Sequence, residues 1–148
     1  MSGEPLEGAF RAAGCALLAI SAASLGVPRV LRWREELARL GPLNRQIFIT
    51  YSGYILATNL AQALLSLLRP EWLVGGGPLA GAVCAYIALY WGARVLIQLF
   101  YYDRSAAPRG PLYEAAHWGF TALFSLLTAV FAAGARAAWT AAGGGAGG

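Results

Sequence analysis

LAGAVCAYIALYWGARVLIQLFY, residues 79 to 101, carries one charge, Arg94, along its whole length. It offers water little to solvate, and it meets the roughly 20 residues needed to cross a bilayer core. Lipid gives no partner to backbone N–H and C=O groups, so a buried stretch of this kind is helical unless it closes a barrel. The alternating pattern of barrel strands is absent. Working outward, similar apolar blocks run from about Gly8 to Val27, from Ile47 to Leu68 and from Trp118 to Ala138. The pattern predicts an all-α integral membrane protein, with four transmembrane helices in an antiparallel bundle forming a single domain over residues 1–148.

Composition points the same way. The chain is 58% hydrophobic and 12% charged, whereas soluble domains carry about a quarter charged residues, so water is not its main solvent. The formal charge of +4 comes with arginine as the only cationic residue type, mostly in the short stretches between apolar blocks. That distribution argues against nucleic acid as a partner and reads as a topology signal. The absence of lysine beside abundant Gly, Ala and Arg favours a GC-rich, bacterial source. Cys15 and Cys84 lie inside apolar blocks, where thiols act as small packing residues.

The first block also resembles a signal peptide, with an apolar core over Cys15 to Ile20 and small residues up to Ser24. Cleavage there would leave the arginines between Arg29 and Arg45 on the translocated side, so the first helix is predicted to be retained. Lipoprotein processing at Cys15 is unfavourable too, because the apolar stretch follows that cysteine. Arg29, Arg32, Arg34, Arg39, Arg45, Arg104 and Arg109 fall in the connections after the first and third blocks. The opposite side has Arg69, with Arg11 and Arg136 near helix ends. A multi-pass inner-membrane protein with both termini non-cytoplasmic follows. Trp33 and Trp118 then mark the inner boundary and Trp72 and Trp139 the outer one, leaving Trp91 at mid-depth.

Between the first two spans, residues 28–41 repeat Val30, Trp33, Leu37 and Leu40 against Arg29, Arg32, Glu35, Glu36 and Arg39. That spacing predicts one amphipathic helix in the inner interface, either an anchor or a docking surface. Gly-Pro-Leu recurs at Gly41, Gly77 and Gly110, glycine ending one element and proline opening the next. Gly75 to Gly77 and the tail 143–148 are expected to be mobile. Small residues four apart, at Ala12 and Ala16, Ala19 and Ala23, and Ala129, Ala133 and Ala137, are expected at close helix contacts, within the bundle or against another subunit.

Polar residues inside the blocks recur at helical spacing: Tyr51, Thr58, Asn59, Gln62 and Ser66; Tyr90, Arg94, Gln98 and Tyr102; His117, Thr121 and Ser125. At about 1.5 Å per residue, Arg94 lies roughly 10 Å above the inner boundary, level with Tyr54 and Ser125, while Gln98 and Thr121 come one turn lower. The candidate ligand-binding residues are therefore Tyr54, Tyr90, Arg94, Gln98, Thr121 and Ser125. No acidic residue lies at that depth, which leaves three roles for Arg94: reaching inner-leaflet phosphates, being held by Tyr, Gln and carbonyl groups, or gripping an anionic or carbonyl-bearing ligand. Asn59 and Gln62 read as interhelical hydrogen-bonding residues or as part of a transport path.

Glu114 and His117 form a Glu-x-x-His spacing, but di-metal bundles need a second copy, so neither a metal nor another cofactor is expected. One histidine excludes a bis-histidine haem, and Gly-x-Ser-x-Gly, P-loop and HExxH motifs are absent. No catalytic residue is assigned. The expected function is a non-enzymatic accessory or interaction protein. Its partners are membrane lipids and another membrane protein or a second copy. The rival is a small carrier or binding protein for a lipid, quinone or anion, built around Arg94.

Overall fold

The structure, a computed structural model, describes residues 3–102 and 110–144. Among them every regular element is helical: α1 Glu4–Ser24, α2 Val27–Val30, α3 Trp33–Glu36, α4 Pro42–Leu68, α5 Pro70–Val74, α6 Pro78–Leu96 and α7 Pro111–Gly144. A 3₁₀ turn over Leu37–Arg39 follows α3, and a π turn over Ile97–Tyr101 continues α6. Arg104, Arg109 and the end of the glycine tail from residue 145 lie outside the described residues.

Proline opens α4, α5, α6 and α7, where its missing N–H falls among donors that have no intrahelical partner. Before α4, α6 and α7 stands the glycine of each Gly-Pro-Leu, as the repeat predicts. Gly77 at φ 107° and Gly110 at φ 153° adopt backbone conformations that a β-carbon disfavours. Because proline and glycine rather than hydropathy set these ends, α4 and α7 start several residues before their apolar blocks.

Three helical stretches, Glu4–Val30, Pro78–Tyr101 and Pro111–Gly143, are long and apolar enough to cross a membrane. α4 has the length, 27 residues or about 40 Å. It lacks the apolarity, because Thr58, Asn59, Gln62 and Ser66 join the polar residues of its first half. The chain divides into two compact units, Arg11–Arg69 and Met1–Phe10 with Pro70–Gly148.

In the unit Arg11–Arg69, α1 approaches α4 at Gly14. A β-carbon there would stand 2.6 Å from Leu67 Cγ and 3.1 Å from the Ala63 carbonyl oxygen. The connection between them corrects the expectation of one amphipathic helix over 28–41. It is helical only in short pieces, because Arg32 adopts a left-handed conformation, φ 51° and ψ 42°, and so breaks the helix between α2 and α3. Such a conformation costs an arginine about 1–2 kcal/mol. Of the expected apolar face, Trp33 and Leu37 are half-buried, whereas Val30 and Leu40 are exposed. The Trp33 ring stands edge-on to Phe48 of α4, centroids 4.8 Å apart.

In the other unit α6 and α7 run along one another, and α5 contacts both. Cys84, Ile87 and Trp91 from α6 are buried, as are Phe124, Leu127 and Phe131 from α7 and Phe10 from the first turns of α1. Phe10 and Phe131 have centroids 5.4 Å apart, and Trp91 and Phe124 5.1 Å, distances at which aromatic pairs attract. Glycine again marks the closest approach. A β-carbon on Gly134 would lie 2.5 Å from Phe10 Cζ and 3.2 Å from Cys84 Sγ, and one on Gly81 would collide with the Trp139 indole.

The alanine rows do not fill this role. Ala12, Ala19, Ala23, Ala129, Ala133 and Ala137 are exposed. A glycine brings two helices closer than an alanine can, so Gly14, Gly81 and Gly134 fix the packed faces and turn the alanines outward. Surface and interior are unusual in polarity as well. Ile55, Leu64, Leu89 and Leu126 are exposed, as is Phe100 at 81%, while Ser21, Asn59, Gln62, Ser66, His117 and Thr121 are buried.

Candidate functional site

The polar set around Arg94 forms where the end of α6 and the π turn face the first half of α7. Arg94 is half-buried, and its Nη1 donates to the Tyr102 hydroxyl at 2.9 Å. Its guanidinium carbon lies 5.8 Å from the Tyr102 ring centroid and 5.9 Å from that of Phe124. Each such cation–π contact contributes about 0.5–2 kcal/mol, more where water is excluded. The cation is therefore held by a phenol oxygen and two ring faces of its own unit.

One turn on, Gln98 Nε2 donates to His117 Nδ1 at 3.2 Å, tying the π turn to α7. His117 is 5% exposed, and its ring also stands edge-on to Trp118 with centroids 5.2 Å apart. Thr121 Oγ1 donates to the His117 carbonyl and Ser125 Oγ to the Thr121 carbonyl, both at 2.8 Å. These hydroxyls turn back on their own helix and so satisfy their donors locally. Ser21, Ser52, Ser66 and Thr128 do the same in their helices.

Of the residues selected from sequence, Tyr90, Arg94, Gln98, Thr121 and Ser125 thus lie on the α6 and α7 segments of one unit. Tyr90 is half-buried with its ring edge-on to Trp91, and Ser125 is exposed. Tyr54 belongs to the other unit, where it is 64% exposed and lines a shallow groove on α4 with Gln46, Ile47, Thr50 and Tyr51. His117 is a buried member of the set that the selection left out. Its signal was in the spacing His117, Thr121, Ser125 and in the shared depth of Gln98 and Thr121. Glu114 is exposed while His117 is buried, and the described residues contain no group of three metal-capable side chains. The Glu-x-x-His spacing therefore does not develop into a cluster. The arrangement matches donors to acceptors and so fixes α6 against α7.

A second feature lies in the unit Arg11–Arg69, where the connection folds beside α4. Pro28, Trp33 and Leu37 face Ile49 across an open groove of about 480 Å³, with Arg34 and Arg45 in its walls. Sequence reading assigned these arginines to topology alone. Comparison with family models, with curated proteins and with solved structures finds no match to this chain.

Proposed function

We propose that the chain is a bacterial inner-membrane protein whose α1, α4, α6 and α7 all cross the bilayer, with both termini non-cytoplasmic. Its function on this reading is that of a non-enzymatic accessory or interaction subunit. The observation that carries the membrane reading is the polarity of α4, which buries Asn59, Gln62 and Ser66 and exposes Ile47, Phe48, Ile49, Ile55, Leu60 and Leu64. A helix in water does the reverse. In lipid this is the favourable arrangement, since polar groups find partners inside and apolar ones meet acyl chains. Supporting the accessory role, the polar side chains near Arg94 engage one another or their own helices, and the exposed alanine rows offer surfaces for a neighbouring helix.

Reporters fused after Gly77 and at the C-terminus are expected to read non-cytoplasmic, and fusions near Gly41 and Ala107 cytoplasmic. A cytoplasmic C-terminus overturns the orientation. Purification in mild detergent with mass spectrometry of the co-eluting material tests the role. A stoichiometric protein partner supports it, and a retained quinone or other small molecule in place of such a partner favours the carrier reading instead.

A further inference from the structure

We propose that the groove between the 28–39 connection and α4 is a binding site for an anionic phospholipid, with Arg34 and Arg45 taking its phosphate; the proposal rests on the bilayer reading above. The first argument is the charge balance of the connection. It carries Arg29, Arg32, Arg34 and Arg39 against Glu35 and Glu36, and α4 adds Arg45 at its start. Glu35 pairs with Arg32 at 3.1 Å and Glu36 with Arg39 at 3.6 Å. Both carboxylates are therefore occupied by arginines outside the groove, and Arg34 and Arg45 are among the residues that line it.

The second argument is the mixed chemistry of the wall. A guanidinium fork matches phosphate oxygens two at a time, but Pro28, Trp33, Leu37 and Ile49 give a free phosphate nothing to bind. A molecule with a phosphate at one end and hydrocarbon at the other meets both. Trp33, braced by Phe48, is a side chain suited to the boundary between headgroups and chains. Arg45 and Ile49 stand four apart on one face of α4, so hydrocarbon leaving the groove continues along that helix. The volume of about 480 Å³ lies in the range of small-molecule sites.

The test is native mass spectrometry of the full chain released from nanodiscs of equimolar phosphatidylglycerol and phosphatidylcholine, counting the lipids retained. The wild type is expected to keep phosphatidylglycerol about tenfold over phosphatidylcholine, as interfacial arginines favour anionic headgroups. Arg34→Gln with Arg45→Gln is expected to bring that ratio near unity. Arg29→Gln with Arg39→Gln removes the same charge outside the groove and is expected to preserve it. Arg34→Lys with Arg45→Lys, which keeps the charge without the fork, is expected to fall between. Equal retention of the two lipids by the wild type, or equal loss in both Gln pairs, overturns the site. Displacement of the lipid by excess inorganic phosphate does so too, because it makes the groove a general anion site. A carbonate wash separates this from the bilayer reading. A chain that washes off the membrane overturns both, and one that stays embedded without lipid preference overturns the site alone.

Discussion

α4 and the α6–α7 pair solve opposite interior problems behind the same kind of exterior. Between α6 and α7 the interior is aromatic and aliphatic, with Trp91, Phe124, Leu127 and Phe131 buried. On α4 the buried positions are Asn59, Gln62, Ala63 and Ser66. The outward faces nonetheless agree, Ile55 and Leu64 on one and Leu89 and Leu126 on the other being exposed. A common exterior with unlike interiors points to the solvent outside as the shared constraint. It also explains why α4 falls short in mean apolarity: an average over all residues counts its buried amides against it, although they do not face outward.

The largest effects are expected where that shared exterior is broken. Ile55→Asp on α4 and Leu89→Asp on α6 each place a charge on an outward face, which in a bilayer costs about 2.5–3.5 kcal/mol at mid-helix. Both variants are expected to lose membrane insertion in a translocation assay, whereas an aqueous surface would accept them with little change. If only Leu89→Asp fails, α4 does not share the exterior.

Next in size come the glycine contacts that set each interior. Gly134→Val and Gly14→Val are each expected to destabilise by about 1–3 kcal/mol through overpacking, read as a lower Tm in mild detergent. Gly53 on α4 has open space around it, so Gly53→Ala is expected to leave Tm unchanged or raise it, as an alanine in a helix is favoured by about 0.5–1 kcal/mol. Equal losses at all three positions would mean that helix propensity, not close approach, is being measured.

A smaller effect tests the polar tie between α6 and α7. A double-mutant cycle with Gln98→Leu and His117→Phe is expected to give a coupling of about 0.6 kcal/mol, the average for such bonds in membrane bundles. A coupling of zero would sever Gln98 from His117. The smallest change concerns Arg94, whose partners are a phenol and two rings. Arg94→Leu is expected to fold with an equal or higher Tm, since removing a partly desolvated charge offsets the lost contacts, and Arg94→Lys to assemble normally. Loss of a molecule that co-purifies with the wild type, in both Arg94→Leu and Arg94→Lys, would restore the carrier reading.

Hydropathy and punctuation carried much of the fold. The helical class was legible from the length of the apolar blocks, and the starts of α4, α6 and α7 from Gly-Pro-Leu. The helix break at Arg32 was not legible, because an arginine in a left-handed conformation has no composition signature. Nor was the choice of glycine over alanine at the packed faces, since either supports small-residue spacing and only the approach distance separates them. In the site, the four-residue spacing brought Arg94, Gln98, Thr121 and Ser125 onto facing helices. Tyr54 was selected on depth alone, and depth along a helix axis carries no information about direction around it.

The π turn at Ile97–Tyr101 acts on direction of that kind. In an uninterrupted α-helix a residue eight positions on lies about 80° around the axis. One extra residue in a turn makes eight count as seven and reduces the offset to about 20°. The amide of Tyr102 completes the wide turn by donating to the Ile97 carbonyl at 3.2 Å, and its hydroxyl then meets Arg94. The partnership is thus a matter of phase: regularising the turn to α-helix at unchanged length would leave both side chains present and swing Tyr102 out of step with its cation.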